Sequence, residues 1–188
     1  MDLYHRGDES ALSHFFDLHY RSLCYFASKF IQDEEEAKDI VSGCFVKFWQ
    51  GKHIAETEEN VKSFLYISCK NSCLNYLKNL ASRNRIQNTY YEKLTKEEGY
   101  VELEIIRSET LDLLHKEIEA LPDKTREVFK LIYFDQLKTD EIAQMLEITE
   151  KSVRYYKAKA IESLKTSMFK KGLSAGFLSY LFFLISKN

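Results

Sequence analysis

From residue 9 onward, apolar side chains recur at intervals of three and four, and few residues that break helices intervene. Only six glycines and one proline punctuate 188 residues. That spacing lines up one face of a helix turning every 3.6 residues, whereas the period-two alternation of a half-buried strand is not seen. The fold class that follows is all-α: two small helical domains joined by a linker, the second containing a helix-turn-helix. A chain of this length buries enough surface to fold without disulfides or metals.

The first stripe runs through Leu12, Phe15, Phe16, Leu18, Leu23, Phe26, Ala27 and Phe30. The acidic stretch "QDEEEAKD" leads into a second, carried by Val41, Cys44, Phe45, Phe48 and Trp49, which Gly51 is expected to stop. After a polar loop over 52–60, a long helix is predicted from Val61 to about Leu80, with Phe64, Leu65, Ile67, Leu74 and Leu77 on or near its buried side. The pattern weakens over 81–107, which reads as a connector containing Gly99. Helical period returns at Ser108 and runs to Pro122, placed in the first turn of the next helix. There Val128, Phe129, Leu131 and Ile132 point inward. The expected domains are therefore 1–80, a linker 81–107, 108–171, and an apolar tail 172–188.

Cys24, Cys44, Cys69 and Cys73 each sit in an apolar, helix-periodic run, as small core residues do. Cys69 and Cys73 share a helix face, but no nearby His or second Cys pair completes a metal-ligand set. No metal, cofactor or small-molecule substrate is expected, and reduced thiols favour a cytoplasmic setting. "MDLYHRGDES" is too polar to read as a secretory leader. The apolar run from Leu173 to Ile185 spans 13 residues, short of the ~20 that cross a bilayer. It is expected to dock on the protein's own surface or on a partner.

After Gln136 come two helices with Thr139 and Thr149 as expected caps. The turn between them has helix-turn-helix length, and Ile142, Ala143, Leu146 and Ile148 are set to pack on Val153, Ala160 and Leu164. Glu147 stands where such turns usually hold Gly, and a left-handed backbone there costs about 1 kcal/mol. On a helical wheel Lys151, Arg154, Tyr155, Ala158 and Lys159 fall opposite the packing side. Arg can pair bidentately with guanine and Lys can hold phosphate, while the small Ala admits close approach. The net charge of −2 argues against a nucleic-acid partner until it is counted by segment. Residues 149–171 hold seven basic side chains against two acidic. Residues 60–91 hold Lys62, Lys70, Lys78, Arg83 and Arg85 and no acid, interleaved with Phe64, Tyr66, Tyr76, Tyr90 and Tyr91. Rings that stack on unpaired bases, among cations that follow phosphates, suit a single strand.

Four stretches in order, "EEAKDIVSGCFVKFWQ", "SFLYISCKNSCLNYLK", "ALPDKTREVFKLIYFDQLKTDEIAQMLEIT" and "SVRYYKAKA", resemble the extracytoplasmic-function subfamily of sigma-70 type RNA polymerase sigma factors, near its iron-citrate-regulator-like branch. The likeness covers about residues 8–168. It implies that the first stretch docks on the clamp coiled coil of the polymerase β′ subunit through Asp39, Ile40, Val41, Phe45, Phe48 and Trp49, with Ser42 where the family usually has Gln. The second stretch is implied in minus-10 recognition and strand opening, through Lys62, Phe64, Tyr66, Lys70, Asn71, Tyr76 and Lys78. A base would be flipped into a pocket near the 50–63 loop, at a cost of about a few kcal/mol. The last stretch is implied in minus-35 recognition through Lys151, Ser152, Arg154, Tyr155, Tyr156 and Lys159. Lys157 occupies a normally apolar place, so its stem is expected over the core with the amine in water. The implied partners are core RNA polymerase (β′ clamp and β flap), promoter DNA and an anti-sigma factor.

Two other readings compete. A stand-alone helix-turn-helix regulator explains the C-terminal half but leaves the acid-free stretch 60–91 without a role. An enzyme would need a glycine-rich phosphate loop, an H-E-x-x-H or clustered ligands, and none occurs. The five histidines, at 5, 14, 19, 53 and 115, are scattered, and the acids at 33–36 read as a solvated helix start.

Overall fold

Asp8, Asp33 and Thr149 each open a helix by the same local device. A side-chain oxygen accepts a bond from an N–H of the first turn that has no intrahelical partner. The computed structural model describes residues 1–51, 55–80 and 99–173. Among these are eight helices and no strand: α1 (Asp2–His5), α2 (Glu9–Ser28), α3 (Glu34–Gln50), α4 (Glu58–Leu80), α5 (Tyr100–Glu119), α6 (Asp123–Tyr133), α7 (Thr139–Met145) and α8 (Glu150–Lys170). The chain divides into two units, with the boundary between Asp112 and Leu113, inside α5.

The first unit is built on α2, α3 and α4. Phe15, Leu23, Phe26, Val41, Phe45, Phe48, Leu65, Cys69, Cys73 and Leu77 lie in one continuous core. Its stability comes from burial, with a large apolar side chain contributing about 1.5–3 kcal/mol. Helix α1 is too short for periodicity to announce, yet its Tyr4 is fully buried. The ring stacks on Phe48 at 4.7 Å, and the hydroxyl donates to the Gly51 carbonyl at 3.3 Å. Thr57 and Asn60 exchange side-chain and backbone bonds of 3.1 and 3.2 Å and so start α4 three residues before the predicted Val61. Gly51 does end α3, but at φ −85°, so its freedom at positive φ is not what the turn uses.

Three expectations of burial are corrected. Phe16 and Leu18 of α2 and Ile67 of α4 are exposed, at 37%, 39% and 59%. Phe16 and Leu18 lie at the margins of the α2 stripe, and Ile67 falls on the face of α4 opposite its buried residues. The expected connector is also shorter than predicted at its far end. Gly99 sits at φ 77°, the left-handed region that suits glycine, and α5 begins at Tyr100, so residues 100–107 are helical. Tyr100, Val101 and Ile105 pack on the first core, and Tyr66 and Ser108 hydroxyls meet at 3.4 Å. Residues 81–98, with the rest of the connector, and the tail from Ser174 lie outside the described residues.

All four cysteines are free thiols, and Cys44, Cys69 and Cys73 are fully buried. Cys44 Sγ donates to the Ile40 carbonyl at 3.1 Å. Hydrogen bonds from Cys44 and Cys73, together with burial, hold the Cys69 thiol above its ordinary range. Among the described residues no group of three or more His, Cys, Asp or Glu side chains could hold a metal ion. No helix there is long and apolar enough to cross a membrane.

In the second unit Val128, Ile142, Ala143 and Val153 form a core flanked by Leu131, Ile132, Leu137, Leu146, Ile148 and Tyr156. Pro122 precedes α6 as its N-cap, one place earlier than predicted, and its carbonyl accepts the Arg126 N–H at 2.9 Å. The cap of α7 is not Thr139. Lys138 holds that position, and the Glu141 carboxylate reaches back to its N–H at 2.7 Å, half of a capping box.

Candidate nucleic-acid interface

The turn from α7 into α8 is closed by backbone bonds. Glu147 N–H bonds the Gln144 carbonyl at 3.3 Å, and Ile148 N–H bonds the Ala143 carbonyl at 3.0 Å, the paired bonds of a Schellman motif. Glu147 takes the left-handed conformation, φ 53°, that its place in the turn requires. Ile148 then returns to the core, and Thr149 Oγ1 accepts the Ser152 N–H at 3.1 Å. A fixed entry to α8 sets which of its residues face water.

Those residues are Lys151, Arg154, Tyr155, Lys157, Ala158 and Lys159, while Val153, Ala160, Leu164 and Met168 are buried. Tyr155 is 59% exposed, and Lys159 Nζ lies 5.8 Å from the centre of its ring. Arg154 is held by Glu150 at 3.2 Å, one turn back. Two members of the predicted set turn elsewhere. Ser152 is half-buried with its hydroxyl 2.9 Å from that of Thr149, so it serves the cap. Tyr156 is half-buried against the second core. Lys157 is exposed, its Nζ 5.8 Å from the Tyr133 ring centre, which keeps the amine wet above an aromatic face.

Helix α4 treats its predicted residues less evenly. Lys70 is half-buried, and Asn71 and Lys78 are exposed. Phe64 and Tyr76 are half-buried against the first core. Lys62 is already paired, its Nζ 2.6 Å from the Glu109 carboxylate on α5. Tyr66 must be withdrawn from the DNA-stacking set. It is 2% exposed, packs edge-on to Phe26, and desolvation pushes its hydroxyl pKa up to about 12. Arg83, Arg85, Tyr90 and Tyr91 lie outside the described residues, as do residues 52–54 of the loop expected to receive a flipped base.

On α3, Asp39 is exposed, and Ile40 and Trp49 are half-buried. Val41, Phe45 and Phe48 are core residues, 0–3% exposed, and cannot themselves be contact residues. The apolar surface actually offered beside them comes from two residues the sequence reading did not place there. Val46 is 54% exposed, and Phe16 stacks on Tyr20 at 4.3 Å and leans on Phe45 at 4.9 Å. An apolar residue at a position opposite the Val41–Phe45–Phe48 stripe was the available signal for Val46.

Comparison with known proteins identifies two conserved regions. The sequence model of sigma-70 region 2 matches residues 15–83, and that of sigma-70 region 4 matches residues 111–164. The chain is 32% identical over 148 residues to the ferric citrate uptake sigma factor FecI of Escherichia coli K12, covering 77% of this chain and 83% of that protein. It is 21% identical over 158 residues to the RNA polymerase sigma factor SigV of Bacillus subtilis 168, covering 83% and 90% respectively.

Proposed function

Because this chain belongs to the extracytoplasmic-function subfamily of sigma-70 type RNA polymerase sigma factors, whose members bind core polymerase and promoter DNA to start transcription, we propose a division of that work among its surfaces. Helix α8 enters the major groove of the minus-35 element. Arg154 and Tyr155 meet base edges, and Lys151 and Lys159 hold phosphates. Helix α4 serves the minus-10 element through Lys70, Asn71, Tyr76 and Lys78. Asp39, Ile40 and Trp49, joined by Val46 and Phe16, meet the β′ clamp, and the helix-turn-helix unit meets the β flap. The protein works in the cytoplasm, and an anti-sigma factor covers these faces until transcription is called for.

The observation that carries the minus-35 assignment is the outward face of α8: four long donor or aromatic side chains around the small Ala158, behind a turn held by backbone bonds. In vitro transcription with core polymerase and a promoter library tests the whole reading. Expected is initiation from promoters sharing one upstream and one downstream element, lost when either is scrambled. A protein that binds promoter duplex tightly alone and never associates with core polymerase is instead a stand-alone regulator.

A further inference from the structure

We propose that Cys44 is a modification site, a thiol that reacts with hydrogen peroxide and that Cys69 then resolves into a disulfide across the α3–α4 seam. Three of the chain's four cysteines belong to this seam. Cys44 comes from α3, Cys69 and Cys73 come from α4, and all three are fully buried in the first core. The Cys69 thiol lies within hydrogen-bond reach of both Cys44 and Cys73. A small core residue could fill each place singly. Thiols in mutual contact across two helices also bring together the two sulfurs that a disulfide joins.

The surroundings of the two sulfurs differ. When protonated, Cys44 donates to the Ile40 carbonyl at 3.1 Å. The Cys69 thiol, then the Ser68 and Ser72 hydroxyls and the Lys47 ammonium, favour the Cys44 thiolate. Together they outweigh burial and hold Cys44 below the ordinary thiol range. Cys69 is held above it, so Cys69 keeps its proton where Cys44 gives one up. Cys24 is the more open thiol, yet desolvation pushes it up as well. Access to Cys44 is through a thin cover. Ser68 and Ser72 are half-buried and Lys47 is exposed, with its Nζ donating to Ser72 Oγ at 3.2 Å. That surface clasp has only to part locally to admit a molecule scarcely larger than water, whereas a bulky reagent needs a wider opening.

The chemistry is a two-electron oxidation. The Cys44 thiolate attacks one peroxide oxygen and the O–O bond breaks. The departing hydroxide takes up the proton that Cys44 released, giving water and a sulfenic acid at Cys44. The Cys69 sulfur then attacks the Cys44 sulfur. An S–S bond forms, the S–O bond breaks, and the hydroxide leaves as a second water with the Cys69 proton. Two thiols are oxidised to one disulfide, one peroxide is reduced to two waters, and Cys73 is left as a thiol.

The test treats the full chain with hydrogen peroxide, alkylates the remaining thiols in denaturant and maps the peptides by mass spectrometry. Trypsin, which cuts after Lys and Arg, puts each of the four cysteines on a peptide of its own. Expected is a crosslink between the Cys44 and Cys69 peptides with the loss of two hydrogens, while Cys24 and Cys73 are recovered as alkylated thiols. Cys69→Ala should lose the crosslink and leave a sulfenic acid at Cys44, captured by dimedone added with the denaturant. Cys44→Ala should leave Cys69 reduced. The map of the parent chain needs no variant, so it decides even where a variant fails to fold. The proposal is overturned if Cys24 is oxidised first, if Cys69 pairs with Cys73 instead, or if Cys44 stays reduced until denaturant opens the unit.

Discussion

Helices α4 and α8 both interleave basic residues with three aromatics, yet they spend them differently. On α8 Lys151, Arg154, Tyr155 and Lys159 all face water, opposite a buried seam of Val153, Ala160 and Leu164. On α4 Tyr66 belongs to the core, Phe64 and Tyr76 lean on it, and Lys62 is bound to Glu109. A helix packed on one side leaves its charged face to solvent, so a wheel reads it correctly. A helix with α2, α3 and the start of α5 around it uses its rings as packing, and only a narrow arc remains for a ligand.

The comparison breaks most visibly if the buried aromatics of α3 and α4 prove to be contact residues after all. Phe48→Ala should destabilise the first unit by about 3–5 kcal/mol, read by urea unfolding of the fluorescence of Trp49, the chain's one tryptophan. Phe48→Leu, which keeps most of the volume, should retain polymerase binding. Loss of binding with stability intact would return Phe48 to the interface.

Arg154→Ala sharpens the other side. It should cost about 1–3 kcal/mol at one base pair of the upstream element and little elsewhere, whereas Lys159→Ala should weaken all sequences evenly and lower the salt slope by about one. Holoenzyme binding to single-base-pair variants across a salt series separates the two. A smaller effect is expected from Tyr66→Phe. Its hydroxyl loses the 3.4 Å contact to Ser108 and its interaction with Ser22, so stability should fall by about 1 kcal/mol and promoter opening should not change. Impaired opening with normal stability would restore Tyr66 to the DNA. Smallest is Glu147→Gly, which relieves the left-handed strain and should stabilise the second unit by about 0.5 kcal/mol, seen as a rise in its thermal midpoint.

What could be read from the chain follows the range of the forces involved. The all-α class, the Thr149 cap, the positive φ at Glu147 and the wet amine of Lys157 are decided within a few residues, and the sequence displays them. The Lys62–Glu109 pair joins positions 47 apart and leaves no periodic trace. Phe16 and Leu18 sit at the edges of the α2 stripe, where exposure depends on how far the neighbouring helices reach round, and Ile67 lies opposite the buried residues of α4. The resemblance implies Val41, Phe45 and Phe48 as contact residues, but they are buried and hold α3 in the first core. The surface beside them belongs to Val46 and Phe16, whose part could be seen only after packing was known.

The four thiols all belong to the first unit, and the second has none. Cys24 is half-buried, and the other three have no exposure at all. A thiol-reactive dye added to the intact protein should therefore meet Cys24 early and the remaining three only when the first unit opens. The slow labelling phase then times the opening of that unit, and it needs no engineered probe.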